Sequence, residues 1–214
     1  MEGPGRVFSK MAQGAETARE RGGSAPGARG SFRAGPARIR LAFRFLHQLP
    51  HQKTHELRVT GTPENQTPLF SDEIEHIVVN PYWNVPTSIA RNEIRPKGRD
   101  YMRRNNIEEL ASGRLRQRPG PDNSLGRVKF MFPNRFNVYL HDTPARELFA
   151  RSARSFSHGC IRLEKPLALA EALLRGQGWT MDEVEDATGR STPRTVSLDE
   201  AVPVHILYWT AGVD

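Results

Sequence analysis

The sequence predicts a mainly β fold, a barrel or sandwich of the α+β class, with helical content in its middle and helices towards its C-terminus. Three observations carry this. The runs 127–132 and 136–140 alternate polar and apolar residues, the period of a strand, and Asn134 and Arg135 between them make a turn, so the pair reads as a hairpin. Glu75–Val79, Thr195–Leu198 and Val204–Trp209 supply further strands rich in β-branched and aromatic residues. Two helices are signalled late in the chain. Pro166 opens the first, Leu167, Leu169, Ala170, Leu173 and Leu174 form its apolar side, and Gly176 ends it. Thr180 with Glu183 is a capping box that opens the second, which Gly189 stops.

The remaining elements follow in order. Leu57–Val59 is a short strand candidate, followed by turn chemistry at Gly61-Thr62-Pro63 and Thr67-Pro68. Tyr82–Val85 is an extended aromatic piece bounded by Pro81 and Pro86. Thr87 or Ser88 caps a short helix over Ile89–Ile94, stopped before Pro96. Residues 97–120 are basic and polar. Within them Asp100–Leu110 has helical content, with Tyr101, Met102, Ile107 and Leu110 on one face, and 114–120 reads as a rigid loop ending in Arg118-Pro119-Gly120-Pro121. Asp142 or Thr143, with Pro144 at the first helical position, opens a short helix through Phe149.

Charge divides the chain. The formal charge of +7 resides in residues 1–54, which hold ten Lys/Arg against three Asp/Glu; residues 55–214 hold twenty-one of each. The first segment is rich in Arg, Gly and Ala, buries too little apolar surface to offset ordering entropy, and predicts disorder. A basic arm for nucleic acid and a segment foreign to the domain, from a misassigned start or a shifted reading frame, are its other readings. The neutral remainder predicts no nucleic-acid partner. No run of eighteen apolar residues predicts an integral membrane span, and Arg40 and Arg44 break the one candidate for a signal-peptide core, so no signal peptide is read in this chain.

The single cysteine, Cys160, excludes an internal disulfide and lies in Ser157-His158-Gly159-Cys160-Ile161-Arg162. Acyl transfer by a thiol needs a base and donors for an oxyanion. His141, at a strand end and nineteen residues upstream, is the candidate base; its other ring nitrogen needs an orienter, which the Asp142 carbonyl or carboxylate supplies unless the carboxylate caps the next helix. Gly159 allows a tight turn, so the amides of His158, Gly159 and Cys160 are candidate oxyanion donors. Arg162 has two readings, a carboxylate anchor and a loop brace.

A strand-end His followed, after fifteen intervening residues, by Ser157-His158-Gly159 and Cys160 beyond them resembles the L,D-transpeptidase catalytic domain of the YkuD type. The blocks 80–90, 118–121, 129–134 and 204–209 resemble the larger YcbB-like members, which carry a helical capping insert. The resemblance runs from Glu56 to Asp214. It implies a thiolate attack on the carbonyl between the third residue of a peptidoglycan stem tetrapeptide and its terminal D-alanine, then resolution of the thioester by an amine of a second stem to form a 3→3 crosslink. It implies Cys160 as nucleophile, His141 as base, the Asp142 carbonyl as orienter, and Arg162, Trp83 and Asn84 as substrate-binding residues. It further implies carbapenem-type β-lactams as inhibitors, a periplasmic or cell-envelope location, and no metal or cofactor. Set against the family's length, the resemblance implies a domain over 55–214 that is incomplete at both ends, with a short lid insert at about 96–120.

Three other readings stand beside this one. A papain- or NlpC/P60-type peptidase places its Cys ahead of its His, the reverse of the order here. A metal site from His141, His158 and Cys160 lacks a fourth ligand of clear spacing. An inactive or fragmentary homologue would keep the motif and at most bind cell wall.

Overall fold

The computed structural model describes residues 38–43 and 58–209. The disorder expected for 1–54 therefore lies largely outside the described residues, but Arg38–Phe43 within it forms a strand, β1. It pairs antiparallel with the last strand of the chain, from Arg38 opposite Trp209 to Phe43 opposite Val204. Arg38 and Arg40 alternate with Ile39 and Leu41, the period of a strand, but in the sequence the segment stood out only as a failed signal-peptide core.

Among the described residues ten further strands follow: β2 (Arg58–Gly61), β3 (Phe70–Val79), β4 (Trp83–Asn84), β5 (Ile107–Glu109), β6 (Leu115–Gln117), β7 (Val128–Met131), β8 (Leu140–His141), β9 (Ser155–Ser157), β10 (Ile161–Leu163) and β11 (Arg194–Trp209). Among the described residues eight strands form one sheet in the order β1-β11-β3-β7-β8-β10-β2-β9. The two expected closing strands are one bent strand, β11, whose pairing with β3 slips between Ser197 and Val202. A bulge of this kind lets one long strand bend around a core without losing its ladder.

The predicted hairpin is present as β7 and β8, with Lys129 opposite His141 and Phe130 opposite Leu140. Its connection is wider than a two-residue turn. The Asn134 side chain substitutes for ladder bonds across it, donating from Nδ2 to the Phe132 and Val138 carbonyls and accepting at Oδ1 from the Phe136 and Val138 amides. This shortens β8 to two residues. The expected helix at 142–149 is a single tight turn over Arg146–Ala150.

The two late helices, α2 (Pro166–Leu174) and α3 (Met181–Gly189), form as predicted. Their label follows α1 (Gly98–Arg104), the helix of the insert. The Thr180–Glu183 capping box is formed in both directions. Both helices bury one face, Ala170 and Leu174 from α2 and Val184 and Ala187 from α3, in the main core beside Ile74, Ile77, Phe130, Leu140, Ile161, Leu163 and Ile206.

The insert has a core of its own. Strands β4, β6 and β5 form a second sheet in that order. Val85, Ile89, Ala90, Ile94, Ile107 and Leu115 bury together, with Trp83, Tyr101 and Met102 packed against them. Helical structure runs from Thr87 through Lys97 as successive α, π and 3₁₀ turns before α1 begins. The helix expected to reach Leu110 ends at Arg104, because Asn106 takes a left-handed conformation (φ 53°) and turns Ile107 into β5. The stretch 114–120, read as loop, holds β6.

Phe130 has no exposed surface, and Phe130→Ala should cost about 3–5 kcal/mol of stability. Thr180→Ala, which removes one helix cap at the surface, should cost about 1 kcal/mol. Urea unfolding of both variants checks the ranking; equal midpoints would contradict this picture of the core.

Candidate active site

The central strands set three side chains in a row. Lys129 on β7 is opposite His141 on β8, and His141 is opposite Arg162 on β10, which runs parallel to β8. Directly paired residues project from the same face of a sheet. The next row, Phe130, Leu140 and Ile161, faces the other way and is fully buried in the core. Burial of that apolar row fixes the register, since a slip by one residue would exchange the two faces.

His141 is 4% exposed. Its Nδ1 is hydrogen-bonded to the Asp142 carbonyl. A carbonyl only accepts, so Nδ1 carries the proton and Nε2 is left with its lone pair. Burial pushes the imidazole down to about 3; the Asp142 carbonyl opposes this, and the cations Arg162 and Lys129 add to it. The ring is therefore neutral near pH 7.

The Asp142 carboxylate is engaged elsewhere. It is 2% exposed. Oδ2 accepts from the Arg127 amide at 2.8 Å, and Oδ1 accepts from the Thr143 amide at 2.7 Å and from Arg146 Nη2 at 2.5 Å. Arg146 also donates to the Glu164 carbonyl at 2.7 Å, tying the exit of β8 to the exit of β10. Gly126 makes room for this carboxylate: a Cβ there would lie 2.4 Å from Asp142 Cγ, at a φ of 61° that also disfavours one.

Cys160 sits on the loop between β9 and β10. Burial pushes its thiol up; hydrogen bonds from the Tyr139 backbone and side chain, then the cations Lys129 and Arg162, draw it partly back. Sγ lies 4.0 Å from the Asn137 carbonyl. Among the described residues no hydrogen bond joins Sγ to the His141 ring.

The loop itself is held from within and from two sides. Ser157 Oγ donates to the Cys160 carbonyl at 2.5 Å and accepts from the Gly159 amide at 3.2 Å. The Gly159 amide, one of three expected oxyanion donors, is thus occupied within the loop. Gly159 has a φ of 109°, which its lack of Cβ permits. Its carbonyl accepts from Thr67 Oγ1 at 2.8 Å, and Thr67 Oγ1 in turn accepts from the Gly61 amide at 3.1 Å on β2. His158 Nε2 lies 2.8 Å from Glu93 Oε1, on the helical run of the insert. The His141 and His158 rings thus bond to different groups.

Arg162 is half-buried, and its Nε has no hydrogen-bond partner among the described residues. Trp83 and Asn84 lie on β4 in the second sheet, paired with Gln117 and Arg116. Trp83 packs against the insert's core. Among the described residues no hydrogen bond ties either to the Cys160 loop.

Sequence reasoning missed Lys129, Tyr139, Ser157, Thr67 and Glu93. Lys129 and Tyr139 had a signal: alternation puts Tyr139 on the face of His141, and the hairpin register puts Lys129 opposite it. The Tyr139 ring meets the His141 ring edge-on at 5.7 Å, and Lys129 Nζ lies 4.0 Å from the Tyr139 centroid. Thr67 and Glu93 are 92 and 65 positions from their partners and carry no local signal.

A mainly β sheet with a lone thiol on the loop that leads into β10, and a buried imidazole at the end of the neighbouring strand β8, thus defines the chain. The family model of the YkuD type, the L,D-transpeptidase catalytic domain, matches residues 50–197. The chain belongs to that family. It is 31% identical over 179 residues to a Haemophilus influenzae protein named "Putative L,D-transpeptidase", an alignment covering 73% of this chain and 36% of that protein. A shorter match, 28% identical over 86 residues, is to epoxide hydrolase 1 of Sus scrofa and covers 40% of this chain and 19% of that protein. The chain spans well under half the length of either relative. Among the described residues no helix is long and apolar enough to cross a membrane.

His141 makes stability depend on pH in a definite direction. Its folded pKa is depressed from 6.5 to about 3, so between those values the unfolded chain binds the extra proton. Stability attributable to this residue is present above pH 6.5 and is lost as pH falls through the window, by up to about 1.4 kcal/mol per pH unit. Urea midpoints from pH 7 to pH 4 should fall more steeply for the native chain than for His141→Gln; parallel slopes would contradict a buried neutral imidazole.

Proposed function

We propose that this protein is a peptidoglycan L,D-transpeptidase that works through a thioester on Cys160. The observation that carries the reading is the His141 ring, held by its Nδ1 to the Asp142 carbonyl so that Nε2 is presented as a base.

In this reading a stem tetrapeptide is the acyl donor. His141 Nε2 takes the Sγ proton as the thiol leaves the Asn137 carbonyl, and sulfur attacks the carbonyl between the third residue and the terminal D-alanine. The Cys160 amide and the His158 side of the loop supply the oxyanion donors, with the Gly159 amide committed to Ser157. The imidazolium returns its proton to the departing nitrogen, D-alanine leaves, and a thioester remains. An amine from the third residue of a second stem then attacks, forming the 3→3 amide bond and restoring the thiol, its surplus proton passing through His141. Arg162, Trp83 and Asn84 contact the donor. The strands and helices of 83–117 act as the cap of a YcbB-like member, and the cell envelope is the place of action. Carbapenem-type β-lactams enter the same chemistry as suicide acyl donors, since their strained carbonyl acylates a thiol without a leaving group that departs.

A resting neutral thiol and neutral imidazole suit this sequence of steps. Charge separation is delayed until a donor carbonyl is present to receive the sulfur.

Incubation of the full chain with a carbapenem should add one inhibitor mass on Cys160, and Cys160→Ala should add none. His141→Gln should acylate at least about a hundredfold more slowly, the contribution expected of a positioned base. Folded protein that takes no adduct would overturn the enzyme reading in favour of an inactive homologue. Release of D-alanine from a stem tetrapeptide, and its loss in Cys160→Ala, tests the donor directly.

A further inference from the structure

Lys129 and Arg162 flank His141 on one face of the sheet. Both are half-buried. Neither forms an ion pair with a carboxylate among the described residues. Lys129 Nζ is instead placed 4.0 Å from the centroid of the Tyr139 ring, and Arg162 Nε is buried without a hydrogen-bond partner. By contrast Arg116, also half-buried, bonds Glu108 at 2.5 Å. The Glu147 carboxylate acts on Arg162 through space but forms no ion pair with it, so the two desolvated cations of this row are incompletely neutralised, a cost that a bound anion relieves.

An anion of the right size is offered by the donor peptide. Its free α-carboxylate lies one residue beyond the carbonyl that sulfur attacks. Resting on the transpeptidase reading, we propose that Lys129 and Arg162 are a carboxylate-binding pair that holds the donor's free C-terminus beside Cys160. Arg162 supplies a planar donor group, and Lys129, braced on Tyr139, a point charge on the far side of His141. The pair selects donors that end in a carboxylate at this distance, so a longer or capped stem is held less well. Filling the pair with an anion also removes the two nearby cations that oppose protonation of His141, so the base gains strength when the donor is seated.

The test uses two alkylating reagents of nearly equal size on the full chain. Iodoacetate carries the carboxylate and iodoacetamide does not, and both report only on Cys160. Relative to a free thiol such as glutathione, Cys160 should favour iodoacetate over iodoacetamide by about tenfold, the value of one charge-assisted contact. Lys129→Met should abolish most of that preference, and Lys129→Arg should retain it. Absence of a preference in the native chain overturns the proposal without any variant. So does a Lys129→Met chain in which both reagents slow alike, because that marks a cation tuning the thiol rather than binding an anion.

Donor peptides supply the second arm. A tetrapeptide with a C-terminal carboxamide should release its terminal residue about tenfold more slowly, in kcat/KM, than the free acid, and Lys129→Met should no longer distinguish the two. A donor whose third residue lacks a side-chain carboxylate should keep the full preference; if the loss follows that group instead, the proposed source of the anion is wrong. A chain that turns over neither donor refutes the transpeptidase reading, while the alkylation ratio still decides the binding pair.

Discussion

The buried carboxylate of Asp142 accepts from the amide that begins β7, the amide that follows β8, and a guanidinium that reaches the exit of β10. Three strands that carry the site are thus referenced to one charge. With that charge fixed, the peptide between Asp142 and Thr143 cannot rotate freely, and its carbonyl stays under His141 Nδ1. The side chain and the backbone of one residue therefore divide two tasks. The carboxylate holds the scaffold, and the carbonyl sets the tautomer of the imidazole. Truncating the carboxylate would leave the buried Thr143 amide and the part-buried Arg127 amide without acceptors, a cost greater than the bonds themselves contribute net. Gly126 belongs to the same device, because any side chain there would enter the space the carboxylate fills.

The electrostatics of the pair follow from burial rather than from mutual attraction. Burial disfavours the charged forms of both the thiol and the imidazole, and the neighbouring cations pull the two in opposite senses, helping a thiolate and opposing an imidazolium. A cysteine–histidine site can rest as an ion pair or as two neutral groups. Here desolvation places it in the second form. In the proposed binding pair, Lys129 and Arg162 would then serve whichever anion arrives, sulfur or substrate.

Much of this was legible in the sequence because it is local. The Thr180–Glu183 capping box, the Pro166 start and the Lys129–His141 hairpin each depend on residues within a dozen positions or so of one another. The Cys160 loop could be singled out for the same reason. What escaped was set by distance. The loop's outer supports come from Thr67 and Glu93, and nothing near those residues announces their partners. Strand β1 was hidden because it lies within a basic segment read as disordered, and its pairing is with the far end of the chain. The helix read through Leu110 failed for a different cause: apolar spacing fits both a helix face and a strand, and the left-handed Asn106 decided between them. Asp142 was left with two roles open because a carboxylate and a carbonyl of one residue are indistinguishable in a sequence pattern.

The protonated resting state of Cys160 also bears on how long the protein survives chemically. Peroxides oxidise thiolates far faster than thiols, and a sulfenic acid is rescued most readily by a second cysteine nearby. This chain holds one cysteine, so it carries no resolving partner. Burial that raises the thiol therefore acts as its protection, keeping sulfur in its less oxidisable form. The same sulfur becomes vulnerable when the surroundings favour the anion; on the proposed function, that is the moment at which an acyl donor would occupy the site and shield it.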